Sequence, residues 1–170
     1  MIRDIQNVED DIISMKRLIK QKLISDPDIL EALNSDIDMD SPDEFLDYNI
    51  YDFIRIPQTQ DTVRNFICFT VDDIEDDPYN SHMKIQQIRM LVICHLDDMK
   101  TPYAMSRHDL LGYLVRDVFN WTNEFGLQFK LFYNQEKTMD SDYYCRELKF
   151  RATKPNSLNK ARRDGKNDRL

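Results

Sequence analysis

Ile88-Arg89-Met90-Leu91-Val92-Ile93-Cys94-His95-Leu96 is the stretch on which the fold turns. Ile88, Met90, Val92, Cys94 and Leu96 fall on one face, and Leu91 and Ile93 on the other, beside Gln87 and Arg89. A period of two is the period of a strand, so the spacing predicts a strand over residues 84–96. Residues 63–71 repeat the pattern, with Phe66, Cys68 and Thr70 set against Ile67, Phe69 and Val71, as in a strand buried on both faces. Between the two, Asp72-Asp73-Ile74-Glu75-Asp76-Asp77-Pro78-Tyr79-Asn80 reads as a long acidic connection that ends in turn chemistry. The pair forms a long antiparallel hairpin.

The period changes on either side of this hairpin. Residues 4–24 place Ile5, Val8, Ile12, Met15 and Ile19 at helical spacing, with Leu18 and Leu23 widening the stripe. The stripe is expected to pack on its own domain or, alternatively, on a neighbouring subunit. Asp26 and Pro27 have the chemistry of an N-cap and first helical position, and a short helix through Leu30 and Leu33 is expected after them. Residues 26–52 hold ten Asp or Glu and no Lys or Arg, which suggests an acidic excursion. A first short strand is expected over 49–56, closed by Pro57. Ser106 and Asp109 open the clearest helix as a variant capping box. Leu110, Leu111, Leu114, Val115, Val118 and Phe119 form its apolar stripe, and Gly126 is expected to end it after Phe125.

A second hairpin follows, with Leu127, Phe129, Leu131 and Tyr133 on one strand and Tyr144, Arg146, Leu148, Phe150 and Ala152 on the other, joined by a polar loop over 134–142. The order predicts an α+β fold: a mainly antiparallel sheet of two hairpins, packed by an N-terminal helix and a central helix. One domain is expected over residues 1–153. Residues 154–170 carry six basic and two acidic side chains and read as a flexible basic tail. That tail is +4 in a chain of net charge −8, which leaves −12 on the rest.

The 170 residues exclude several function classes. A net charge of −8 opposes general binding to nucleic acid or a membrane surface. Three glycines, Gly112, Gly126 and Gly165, leave no Walker loop and no dinucleotide fingerprint. Cys68, Cys94 and Cys145 are too widely spaced for a disulfide framework or a zinc motif. No run approaches the ~20 apolar residues of a membrane span, and no signal peptide opens the sequence. Folding in an intracellular, reducing site is expected.

Three constellations could carry chemistry. Asp36, Asp38 and Asp40 open like a calcium loop, but Ser41 stands where the loop's glycine belongs and Asp47 where its bidentate Glu belongs. Glu147 and Lys149, two apart on a strand, share a face, and metal-dependent nucleases use such a pair with an upstream Asp to hold Mg²⁺ and activate water. The same pair also suits the solvent face of an edge hairpin. His95, Asp97, Asp98, His108 and Asp109 could converge on a metal, although His95 also suits the polar end of a strand and Asp109 a helix start.

The order of elements resembles the tail terminator proteins (tail completion, or head–tail joining proteins) of tailed bacteriophages, over about residues 4–153. Asn65-Phe66-Ile67-Cys68-Phe69-Thr70-Val71, the run 88–96, Arg107-His108-Asp109-Leu110-Leu111 and Arg146-Glu147-Leu148-Lys149-Phe150 carry the resemblance. It implies a structural protein without catalysis or cofactor. Made in the host cytoplasm, it would reside in the virion at the head–tail junction, as a self-associated, hexameric ring. Its partners would be the tail tube protein, the head connector and DNA that passes the lumen without specific binding, with no membrane involved. Asp72, Asp73, Glu75, Asp76 and Asp77 are the candidate lumen-facing loop, where carboxylates would repel phosphate. Ile5, Val8, Ile12, Met15, Arg162 and Arg163 are the candidate subunit contacts. Another head–tail connector or neck protein, a Mg²⁺-dependent nuclease using Glu147 and Lys149, and an acidic module that mimics DNA are the alternatives.

Overall fold

The computed structural model describes residues 11–55, 63–139 and 142–155. The expected helix start at residue 4, with Ile5 and Val8, and the tail from residue 156, with Arg162 and Arg163, lie outside those residues. The fold is α+β, a five-stranded, mostly antiparallel sheet with three helices.

Helix α1, Asp11–Ile24, buries Met15, Ile19 and Leu23, one turn apart along one stripe. Ile12 and Ile24 are partly buried against the same core. Most of its apolar stripe is thus turned onto its own domain, whereas Leu18, expected to widen that stripe, is exposed along with Ile13. Asp26 caps α2, Pro27–Leu33, by accepting from the Asp28 and Ile29 amides at 3.0 and 3.2 Å, a contribution of about 1 kcal/mol. Asn34 ends the helix in the left-handed region, at φ 49°.

The acidic segment is no excursion. Ile29, Leu30, Leu33, Phe45 and Ile50 lie in the main core, and a short 3₁₀ turn spans Pro42–Phe45. Its carboxylates occupy the outer face of elements whose apolar side chains point in. The strand expected over 49–56 shrinks to β1, Ile50–Tyr51, which pairs in parallel with β2, Phe66–Asp77, at Ile67 and Cys68.

β2 pairs antiparallel with β3, Asn80–His95, and β3 with β5, Tyr143–Pro155; β4, Lys130–Thr138, closes the other edge on β5. The strand order is β1-β2-β3-β5-β4. Both hairpins are longer than their apolar runs. Asp72 to Asp77 belong to β2, paired through Asp72–Gln87 and Asp73–Gln86, so the expected acidic loop is strand nearly to its tip. Once register is set by the buried half, the ladder continues into polar sequence because most backbone groups gain a partner, with irregularities at Asp73/Glu75 and Asp76/Asp77. For the same reason much of the expected 134–142 loop is strand, paired from Asn134–Leu148 to Thr138–Tyr144. Leu96, expected on the β3 face, instead opens a 3₁₀ turn, Leu96–Asp98, and is exposed.

Helix α3, Arg107–Phe119, stops well before Gly126. The Asn120 amide donates to the Arg116 carbonyl at 2.9 Å, while its Oδ1 accepts from the Leu131 amide at 2.8 Å. Trp121 then adopts a φ of 64° and donates to the Phe129 carbonyl at 2.8 Å. This side-chain bond draws the chain onto β4, and Gly126, at φ 69°, serves the later turn. Ser106 makes no backbone cap; its Oγ donates to Asp109 Oδ2 at 2.5 Å.

The helices cover one face of the sheet, where Ile67, Phe69, Met90, Val92, Leu148 and Phe150 meet Ile19, Leu33, Val115 and Phe119. A smaller cluster of Tyr51, Phe66, Cys68, Leu91, Ile93, Tyr143 and Cys145 lies on the opposite face.

Candidate interaction surfaces

The acidic side chains of β2 are mostly exposed, Asp77 being half-buried. Asp73 is the exception in its ion pairs. It pairs with Lys84, lies 3.2 Å from Lys154 Nζ and accepts from Gln86 Nε2 at 3.2 Å. Burial pushes its carboxyl up, but hydrogen bonds and charge from Lys84 and Lys154 outweigh that and hold it below the usual carboxylate range. Lys154, expected to begin a flexible tail, is thus buried at the end of β5.

Glu147 is fully buried and ringed by cations. Arg89 Nε donates to Oε1 at 2.6 Å, Lys149 Nζ lies 3.4 Å from the same oxygen, and Lys137 pairs with Oε2. Lys149 also stacks on the Tyr133 ring at 4.5 Å. Burial raises the Glu147 carboxyl, yet the hydrogen bonds from Lys137 and Arg89 and the surrounding positive charge bring it below its ordinary value. The strand spacing places Glu147 and Lys149 together as expected. It gave no sign of Lys137 on the neighbouring strand; Arg89, a charge inside an apolar run, was the one signal of an ion pair at this face.

His95 and Asp98 do not meet His108 and Asp109 at one point. The His95 Nδ1 accepts from the Asp97 amide at 3.1 Å. Asp98 instead belongs to a brace around Arg107, which is buried. Its guanidinium donates to the Asp98 and Ala32 carbonyls at 2.6 and 2.8 Å and to Asp98 Oδ1 at 3.0 Å. Asn65 and Asn34 complete the brace on Asp98 at 2.6 and 3.0 Å. His108 Nε2 faces Glu136 at 3.3 Å, and Asp109 pairs with Arg146.

Among the described residues no group of three or more His, Cys, Asp or Glu is placed to hold a metal ion. Asp36 accepts from the Tyr48 hydroxyl at 2.9 Å. The three cysteines are free and buried. Burial pushes the Cys68 thiol up to about 11 and that of Cys145 to about 12, so neither is a thiolate at neutral pH.

Arg146 also explains Gly112. A Cβ there would run into the Arg146 side chain where it crosses α3 toward Asp109. Gly-to-Ala in a helix normally gains about 1 kcal/mol. Gly112→Ala is expected to reverse that sign, with a net loss of roughly 1–2 kcal/mol read from the urea midpoint. An increase in stability would mean that Arg146 swings away freely.

A groove of about 630 Å³ lies between α2 and α3. Pro102, Tyr103, Met105, Leu110 and Tyr113 form much of its wall, and Asp28 and Glu31 stand on its rim. Tyr103, Met105 and Tyr113 are exposed there at 59%, 45% and 51%. Sequence reading missed this groove, because the loop residues 101–105 show no period. Of the candidate subunit contacts among the described residues, Met15 is buried in the core and Ile12 is partly buried against it.

The YomW family model matches residues 17–152. The chain belongs to the YomW family. The match takes in all five strands nearly to the end of β5, all of α2 and α3, and most of α1. YomW is the name of a Bacillus prophage protein, so the family name points to a phage association. No curated protein matches it. Among its described residues, no helix is long and apolar enough to cross a membrane.

Proposed function

We propose that this YomW-family chain is a structural virion protein without catalytic activity, one that forms a ring capping the tail tube and joining it to the head connector. The observation that carries the reading is the β2–β3 hairpin. Its apolar half, Phe66 to Val71, is rooted in the core. Its distal half exposes Asp72, Glu75 and Asp76, while Asp73 is held by Lys84 and Lys154. An acidic strand end, continued in the sheet by pairing of β2 with β3 and of β3 with β5, suits a ring lumen, where carboxylates repel passing phosphates at short range. The phage-associated family supports the same setting. The remaining partners, tube and connector, follow from the resemblance in element order.

Mass in solution tests this. Light scattering over a concentration series, repeated with tail-tube protein added, is expected to give a closed hexamer, alone or on the tube. A monomer under both conditions would overturn the reading.

A further inference from the structure

The α2–α3 groove has an apolar wall, an acidic rim and no occupant among the described residues. Residues 156–170 carry five Lys or Arg and two Asp, a net +3, interspersed with Leu158, Ala161 and Leu170. Asp28 and Glu31 complement those cations, and Tyr103, Met105 and Tyr113 offer apolar surface to the leucines. We propose that residues 156–170 of one copy dock in the α2–α3 groove of the next copy.

Position favours a neighbour over the chain's own groove. The groove sits beside Arg107 and Asn34, both braced on Asp98 just past the end of β3. That end of β3 pairs His95 with Tyr143, the start of β5, whereas residue 156 follows the opposite end, where Met83 pairs with Pro155. The 13-residue β5 separates the two ends by roughly 40 Å. Fifteen extended residues reach at most about 50 Å, so a segment folded back along its own β5 spends much of its length before it meets the groove, whereas one reaching forward does not. Reaching forward onto the next copy uses unlike surfaces on the two copies. That is the heterologous contact from which a ring closes. The inference rests on the ring assembly proposed above and names one contact that would hold it.

The test uses the full chain, grown separately in ordinary and ¹⁵N-labelled form, mixed one to one and treated with a carbodiimide that joins carboxylates to amines in direct contact. Links between Asp28 or Glu31 and Lys160 or Lys166 are expected, about half of them joining a light peptide to a heavy one. R162E/R163E, which leaves both linkable partners in place, should lower the yield of hybrid links roughly tenfold; D28K/E31K removes the linkable carboxylates, and its combination with R162E/R163E should give hybrid links again with the carboxylate and amine sides exchanged. R162E/R163E alters no described residue, so it stays informative if the α2 variant folds poorly. Links confined to peptides of one isotope would place the segment on its own chain and overturn the proposal. A ring seen by light scattering without these links would also overturn it, while leaving the ring reading intact. A wild-type chain that never assembles would remove both.

Discussion

Glu147→Ala is expected to cost about 3 kcal/mol of folding stability at neutral pH, the low end of what losing one partner of a buried pair costs. The reason lies in the ring of cations. Arg89, Lys137 and Lys149 converge on one fully buried carboxylate. Without it, three positive charges face one another across a small cavity, relieved only by the partial exposure of their own side chains. Urea midpoints at pH 7 would measure the loss, and an unchanged midpoint would mean that the cations relax into solvent at no cost.

The same carboxylate predicts an acid limb. Its folded pKa is lowered, so its contribution is complete above the unfolded-chain value, about 4.3, and is lost as pH falls through the lower folded value. Wild-type stability should therefore decline below about pH 4.3, and Glu147→Gln should decline less steeply. Asp73 and Asp109 are lowered too and leave a residual slope in the variant.

Arg107→Ala is the second large effect. One guanidinium ties the end of α2, the 3₁₀ turn after β3 and the start of α3. Its loss leaves the Ala32 carbonyl without that donor and the Asp98 carboxylate without its cation, held only by Asn34 and Asn65 in a half-buried setting. The expected cost is roughly 3–4 kcal/mol. For a chain of this length that lowers Tm by roughly 10 °C. Arg107→Lys should recover little, because an ammonium cannot span the carbonyls and the carboxylate at once. Full rescue by lysine would show that charge alone, and not the planar fork, holds the three elements.

The sequence made the apolar parts of this fold legible and its polar parts less so. The faces of β3 were readable down to single residues, since Ile88, Met90, Val92 and Cys94 share one cluster and Leu91 and Ile93 the other. Asp26 and Pro27 announced α2 because capping is local chemistry. Strand ends were misjudged at Asp72–Asp77 and Asn134–Thr138, where pairing with a neighbour outweighs local polarity. The end of α3 was hidden because it depends on Asn120 bonding to Leu131. Of the candidate surfaces, the acidic run was visible. The cation ring around Glu147 needed Arg89 and Lys137, which reach it from two other strands. The α2–α3 groove requires two helices far apart in the chain to be placed side by side.

Strand order has a kinetic consequence. β2 and β3 close across the tight turn at Pro78 and Tyr79, whereas β3 must wait for β5 to arrive from the far side of α3 and β4, matching His95 with Tyr143. Contacts between distant positions are slow to form. In the interval, the apolar run from Ile88 to Cys94 presents an unpaired edge, the kind of template on which strands of other molecules add. Release of a chain before β5 is complete should therefore favour aggregation over a soluble intermediate, and refolding yield should fall steeply with protein concentration.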